Sequence, residues 1–225
     1  MHSDTPSQFS DDAGGDYLSS AKNYVGQLRL YSYSDLVLML LATGADARAL
    51  AQASCLWLGF LVFLEYIHRD RGRHRWPLLA WVAPWLAAVL LNPSYLLIAF
   101  GLLAVLYTLK KTVPPLASVS PILNGCLKGS LVCLVPGVAV WQVTVVVILT
   151  ALRNLAGDFR DVAKDSAEKV ATLPVRLGMH RDITWIYPAT LAATSTVWVI
   201  IGGLPAWALL TAFLVQATTY RWTPR

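Results

Sequence analysis

Gly137-Val-Ala-Val-Trp-Gln-Val-Thr-Val-Val-Val-Ile-Leu-Thr-Ala-Leu152 carries no charge and almost no polar group on any side. A helix at the surface of a soluble protein keeps a polar stripe for water beside its apolar stripe. This stretch has no such stripe, so it reads as a helix surrounded by apolar material. It sits within one of three charge-free tracts, which run from Trp76 to Leu109, from Gly129 to Leu152 and from Ile183 to Tyr220. A helix needs about 20 mainly apolar residues to cross a bilayer core, so the first and third tracts are long enough for two passes each. The whole chain is 56% hydrophobic and 14% charged, against about 25% charged in ordinary soluble domains.

Reading apolar runs between breakers predicts an all-α fold, a polytopic membrane bundle of about eight transmembrane helices. They fall at approximately 24–43, 49–68, 77–91, 95–109, 117–134, 137–156, 183–201 and 205–220. Gly44, Asn92-Pro93-Ser94, Pro136-Gly137 and Gly202-Gly203 supply the breaks. Alternating the connections puts all of the 18 Lys and Arg residues except Arg48 and Lys128 on one side. The positive-inside rule makes that side cytoplasmic. The expectation is therefore a multi-pass protein of the cell membrane with both termini in the cytoplasm. Its net charge of +5 belongs to that membrane face, and no nucleic-acid partner is expected.

Residues 1–20 are polar and include Asp4, Asp11, Asp12 and Asp16. They read as a disordered tail and not as a cleavable signal, which would begin with a basic segment and an apolar core. Residues 21–225 form the transmembrane domain. Cys55, Cys126 and Cys133 lie in apolar stretches without metal spacing and read as packing residues.

The longest polar insertion lies between the sixth and seventh runs. There Asn154, Asp158, Asp161 and Asp165 are spaced four, three and four apart, which on one continuous helix puts them on one face. Stacked carboxylates repel one another unless a cation intervenes. Either a hard divalent ion such as Mg²⁺, which takes one or two carboxylates plus water and phosphate oxygens, fills the site, or Arg160 and Lys164 neutralise the acids.

The stretch Asp158, Asp161, Asp165, Lys169, Thr172-Leu173-Pro174, Gly178 resembles the second aspartate-rich motif of the UbiA-type intramembrane prenyltransferases. Its closest flavour is the archaeal-type lipid-ether and polyprenyl branch. Tyr107-Thr-Leu-Lys110-Lys111 is similar to the family's Y-x-x-K stretch after the fourth helix. The resemblance implies a helical barrel open to the bilayer, in which Mg²⁺ held by Asp158, Asp161 and Asp165 meets the diphosphate of a prenyl donor. Arg153, Asn154, Tyr107, Lys110 and Lys169 would assist in binding it. A prenyl group would pass to a lipophilic acceptor through an allylic carbocation, walled by aromatics such as Trp57, Trp81, Trp85 and Trp141.

The family's first aspartate-rich motif corresponds to a segment that reads Phe63-Leu-Glu65-Tyr-Ile-His68-Arg-Asp70-Arg-Gly-Arg73-His-Arg75-Trp-Pro77. Glu65 and Asp70 are five residues apart, about 140° around a helix axis, so they cannot form a ladder. Asp70 is the expected catalytic carboxylate, and Arg73 the expected phosphate contact among Arg69, Arg71, Arg73 and Arg75. Two alternatives accompany the transferase reading. One is a cyclase-like relative that needs no acceptor, and the other a non-catalytic polyprenyl-lipid-binding or partner subunit of the same fold.

Overall fold

The structure, a computed structural model of the chain, describes residue 26 and residues 28–67 and 78–220. The expected tail, Asp70, Arg73 and the rest of residues 68–77 lie outside the described residues. Within them the protein is all-helical, with no strand. The helices are α1 (Leu30–Ala42), α2 (Ala47–Ile67), α3 (Leu78–Leu91), α4 (Tyr95–Thr108), a 3-10 turn (Leu109–Lys111), α5 (Pro114–Val132), α6 (Val140–Arg160), α7 (Val162–Ala167), α8 (Leu173–Arg176), α9 (Ile186–Ile201) and α10 (Ala206–Thr219). Eight of these match the eight expected runs, and α7 and α8 occupy the polar insertion.

The breaks have local causes. After α1, Gly44 takes a left-handed φ of 84°, and the next amide, Ala45 N, reaches back to Leu40 O at 3.0 Å, closing the helix as glycine favours. Asp46 Oδ1 then accepts from Ala49 N at 2.7 Å and starts α2. Ser94 caps α4 by accepting from Leu96 N at 3.2 Å. Two ends differ from expectation. Arg29 adopts φ 48° immediately before α1, so that helix begins at Leu30 and not near 24. α6 continues to Arg160, four residues past the expected end, and carries Asp158 inside a helix.

Successive long helices alternate in direction, as contacts at both ends require: Arg29 meets Glu65 at one end, while Gln52 meets Asn92 O at the other. They close a ring in which α2 packs on α3, α4 on α5, α5 on α6, α6 on α9, and α9 and α10 on α1. The α5–α6 seam depends on Gly125-Cys-Leu-Lys-Gly129. A Cβ on Gly125 would collide with the Val147 carbonyl oxygen, and one on Gly129 would lie 2.7 Å from Val147 Cγ2. Small residues four apart let two backbones approach this closely.

The surface of the ring is apolar and its interior is charged. Leu79, Leu90, Ile98, Leu102, Ile200 and Leu214 are exposed, whereas Asp35, Lys128 and Arg153 are buried. Two helices, α2 and α6, each 21 residues, are long and apolar enough to cross a membrane by length and composition. The other apolar helices among the described residues are shorter. Among the described basic residues, Arg48 stands at the end opposite to the rest and Lys128 lies within the bundle.

Replacing Gly125 by Ala forces backbone apart from backbone and is expected to lower stability by about 1–3 kcal/mol. Gly101→Ala, which meets nothing within 4 Å, serves as the control. Thermal midpoints of the two variants in detergent check this, and equal midpoints would contradict the close α5–α6 contact.

Candidate functional site

At the basic end of the ring lies a narrow cleft of about 50 Å³, open to solvent at its mouth. Arg29, Tyr107, Asn124, Arg153 and Asn154 supply its polar lining, and Trp57, Phe60, Leu61 and Leu64 of α2 supply an apolar wall. Remote segments are needed to build it, since these residues come from the start of α1 and from α2, α4, α5 and α6. Arg29 donates to Glu65 Oε1 at 3.2 Å, which links the rim at α1 to α2.

Tyr107, Lys110, Asn154, Asp158 and Asp165 gather beside the mouth. The Tyr107 hydroxyl accepts from Lys110 Nζ and from Asn154 Nδ2, both at 3.2 Å. Lys110 lies 4.6 Å from the Tyr107 ring centroid and acts electrostatically on both Asp158 and Asp165. On α6, Asn154 and Asp158 are one turn apart. Asn154 Oδ1 and Asp158 Oδ2 are both buried acceptors without a hydrogen-bond partner. Buried polar atoms normally find a partner, so this grouping is short of a donor or a cation.

The aspartates do not stack as one ladder. Asp161 ends α6 and begins α7 with φ −110° and ψ 21°, so the helix is interrupted between Asp158 and Asp165. The Asp161 carboxylate is chelated by Arg160, with Nε donating to Oδ1 at 2.7 Å and Nη2 to Oδ2. Arg160 is itself seated over the Tyr187 ring at 4.6 Å and donates to the Tyr220 hydroxyl at 3.1 Å. Among the described residues no three His, Cys, Asp or Glu side chains converge on one point. Asp158 and Asp165, both beside Lys110, are the carboxylates of this grouping that Arg160 does not chelate, and Mg²⁺ needs only one or two carboxylates.

The rest of the motif shapes the surroundings. Asp182 Oδ1 accepts from Ala163 N at 2.7 Å and Ile183 N donates to Phe159 O at 2.9 Å, folding the chain after α8 back on the end of α6. Arg176 donates to Ser118 Oγ at 3.0 Å, which ties α8 to α5. Thr172 and Pro174 are buried. Lys169 is exposed with φ 58° and makes no ion pair among the described residues. Of the candidate tryptophans, Trp57 lines the cleft. Trp81 and Trp85 pack on Phe63, and Trp141 is exposed.

Arg153 points inward. Its Nη1 meets Asp35 Oδ2, which also accepts from Lys128 Nζ at 3.0 Å. Asp35 Oδ1 accepts from Trp198 Nε1 at 3.1 Å and from Thr194 Oγ1 at 3.4 Å. Sequence reasoning set Lys128 apart from the basic side but did not pair it with Asp35. It missed Arg29, Phe60 and Asn124, for which neither motif nor spacing gives a signal.

Burial pushes the Asp165 carboxyl up to about 6, opposed by Lys110 and supported by Asp161. A carboxyl raised above its unfolded value near 3.9 costs the native state stability as pH rises through that window. Asp165→Asn is therefore expected to raise the thermal midpoint of the ligand-free protein at pH 7.5, with the gain shrinking toward pH 5. Paired melts at the two pH values check the sign, and a lower midpoint at pH 7.5 would contradict it. No family model, no curated protein and no solved structure matches the chain, so the functional reading rests on this geometry and on the motif.

Proposed function

We propose that this is a multi-pass membrane protein of prenyltransferase type, which binds an isoprenoid diphosphate in the cleft and transfers its prenyl group to a lipophilic acceptor. The observation that carries the reading is the pairing of opposite chemistries in one cleft: Arg29, Tyr107, Arg153 and Asn154 at the polar side, Trp57, Phe60, Leu61 and Leu64 along the wall. The apolar exterior around a charged interior supports a lipid surround, since an aqueous exterior would leave Leu90 and Ile98, 85% and 68% exposed, in water. The short helices would then tilt little, and the bilayer would thin around them or neighbouring residues would cover the difference.

In this reading the diphosphate lies at the mouth, where Lys110 and Arg29 offset its charge and Asn154 orients it. Mg²⁺ held by Asp158 and Asp165 would supply Lewis-acid stabilisation of the departing diphosphate. The allylic C–O bond breaks with the electron pair leaving on the diphosphate. The acceptor then forms the new bond and gives up a proton. The Phe60 and Trp57 faces exclude water from the cation and offer it their negative ring faces.

The chelation of Asp161 by Arg160 favours a second reading, a prenyl-lipid-binding protein without turnover. Release of pyrophosphate from farnesyl or geranylgeranyl diphosphate by the purified protein separates the two. The transferase reading expects Mg²⁺-dependent release, reduced at least 100-fold by Asp158→Asn. Binding of the diphosphate without release, at saturating protein and with candidate acceptors present, supports the second reading. For the topology, cysteines placed at the exposed Ser166 and Ala47 are expected to label from opposite sides of sealed vesicles, Ser166 from the cytoplasmic one. Labelling of both from one side contradicts the alternating arrangement across a membrane.

A further inference from the structure

Behind the cleft, two cations share one carboxylate. Asp35, Lys128 and Arg153 are 1%, 0% and 3% exposed, and among the described residues neither Lys128 nor Arg153 has an ion pair with any carboxylate but Asp35. Arg153 additionally faces the phenols of Tyr31 and Tyr187. A buried charge without a counter-charge costs several kcal/mol, so the group is one negative charge short. A second, independent deficit adjoins it. Trp57 Nε1 is a buried donor with no acceptor, on a residue that is 3% exposed, lines the cleft and lies under Lys128 Nζ at 5.0 Å from the ring centroid. Arg153 also lines the cleft. The mouth of the cleft lacks a donor or cation, and this inner end lacks an acceptor and an anion.

We propose that the inner end of the cleft is a separate subsite for a monoanionic group, formed by Arg153, the Trp57 indole N–H and the unbalanced charge of Lys128. Its ligand is a carboxylate or phosphate monoanion, either the head of an amphipathic molecule whose chain lies along Phe60, Leu61 and Leu64, or a free ion. Should the prenyltransferase reading hold, an acceptor bearing such a group would be the occupant, but the charge deficit exists without that reading.

Lys128→Met tests this without dismantling the cluster, because it leaves Asp35 and Arg153 as a balanced pair. The probes are palmitate, its methyl ester and inorganic phosphate, read as shifts in thermal midpoint and as direct binding to the purified protein. Palmitate is expected to bind and stabilise the wild type while its ester does not. Lys128→Met is expected to weaken palmitate at least 10-fold and, by removing the unpaired charge, to raise the ligand-free midpoint. Trp57→Phe is expected to weaken palmitate about fivefold. A shift produced by inorganic phosphate alone supports the subsite and assigns its occupant to a free ion; its absence beside a palmitate shift assigns it to an amphipathic ligand. Equal binding of ester and acid, or palmitate affinity unchanged in Lys128→Met, overturns the proposal. Pyrophosphate release in the wild type reads the other site: its absence with palmitate selectivity intact sinks the transferase reading and leaves this one standing.

Discussion

One carboxylate, Asp35, gathers four helices. From α1 it accepts hydrogen bonds or ion pairs from Lys128 on α5, Arg153 on α6, and Thr194 and Trp198 on α9. Losing Asp35 would leave Lys128 and Arg153 buried and unpaired, which is far more costly than forming the cluster is favourable. The cluster therefore specifies which helix faces turn inward. With Arg153 fixed toward α1, Asn154 is turned toward Tyr107 and Asp158, one turn further along α6, toward Lys110. The placement of the whole polar end follows from a residue buried at the centre.

The apolar wall obeys a different constraint. Packing between α5 and α6 is set by backbone approach at Gly125 and Gly129, and packing between α2 and α3 by Trp85, which fills the space over Gly59 and donates to Leu56 O at 3.1 Å. On the opposite face of α2, Trp57 and Phe60 are 5.2 Å apart between centroids, and Phe60 meets Tyr107 at 5.8 Å. The same tyrosine thus ends the aromatic wall and begins the polar mouth. A ligand with a charged head and an apolar body matches that sequence of surfaces, and a purely polar or purely apolar one does not.

Helix positions were legible in the sequence because their limits are local chemistry: Gly44, Asp46 and Ser94 act on their own neighbours. The short α7 and α8 escaped notice because their packing, through Asp182 and Arg176, depends on distant partners. The aspartate pattern was legible in composition but not in direction. Spacing of four, three and four describes one face only if the helix is continuous, and Asp161 interrupts it, turning toward Arg160 and the Tyr187–Tyr220 stack at 5.7 Å. The cleft itself could not be read, since Arg29, Trp57, Asn124 and Arg153 come together only when the ring closes.

The proposed transferase reading puts a charged isoprenoid in this cleft with its chain against α2. Photo-crosslinking with a diazirine-bearing isoprenoid diphosphate in lipid nanodiscs, mapped by peptide mass spectrometry, tests it most directly. Occupancy of the cleft predicts labelling between Trp57 and Leu64, competed by unlabelled prenyl diphosphate. Labelling confined to the outward residues of α3 and α4, such as Leu90 and Ile98, and insensitive to competitor, would contradict it.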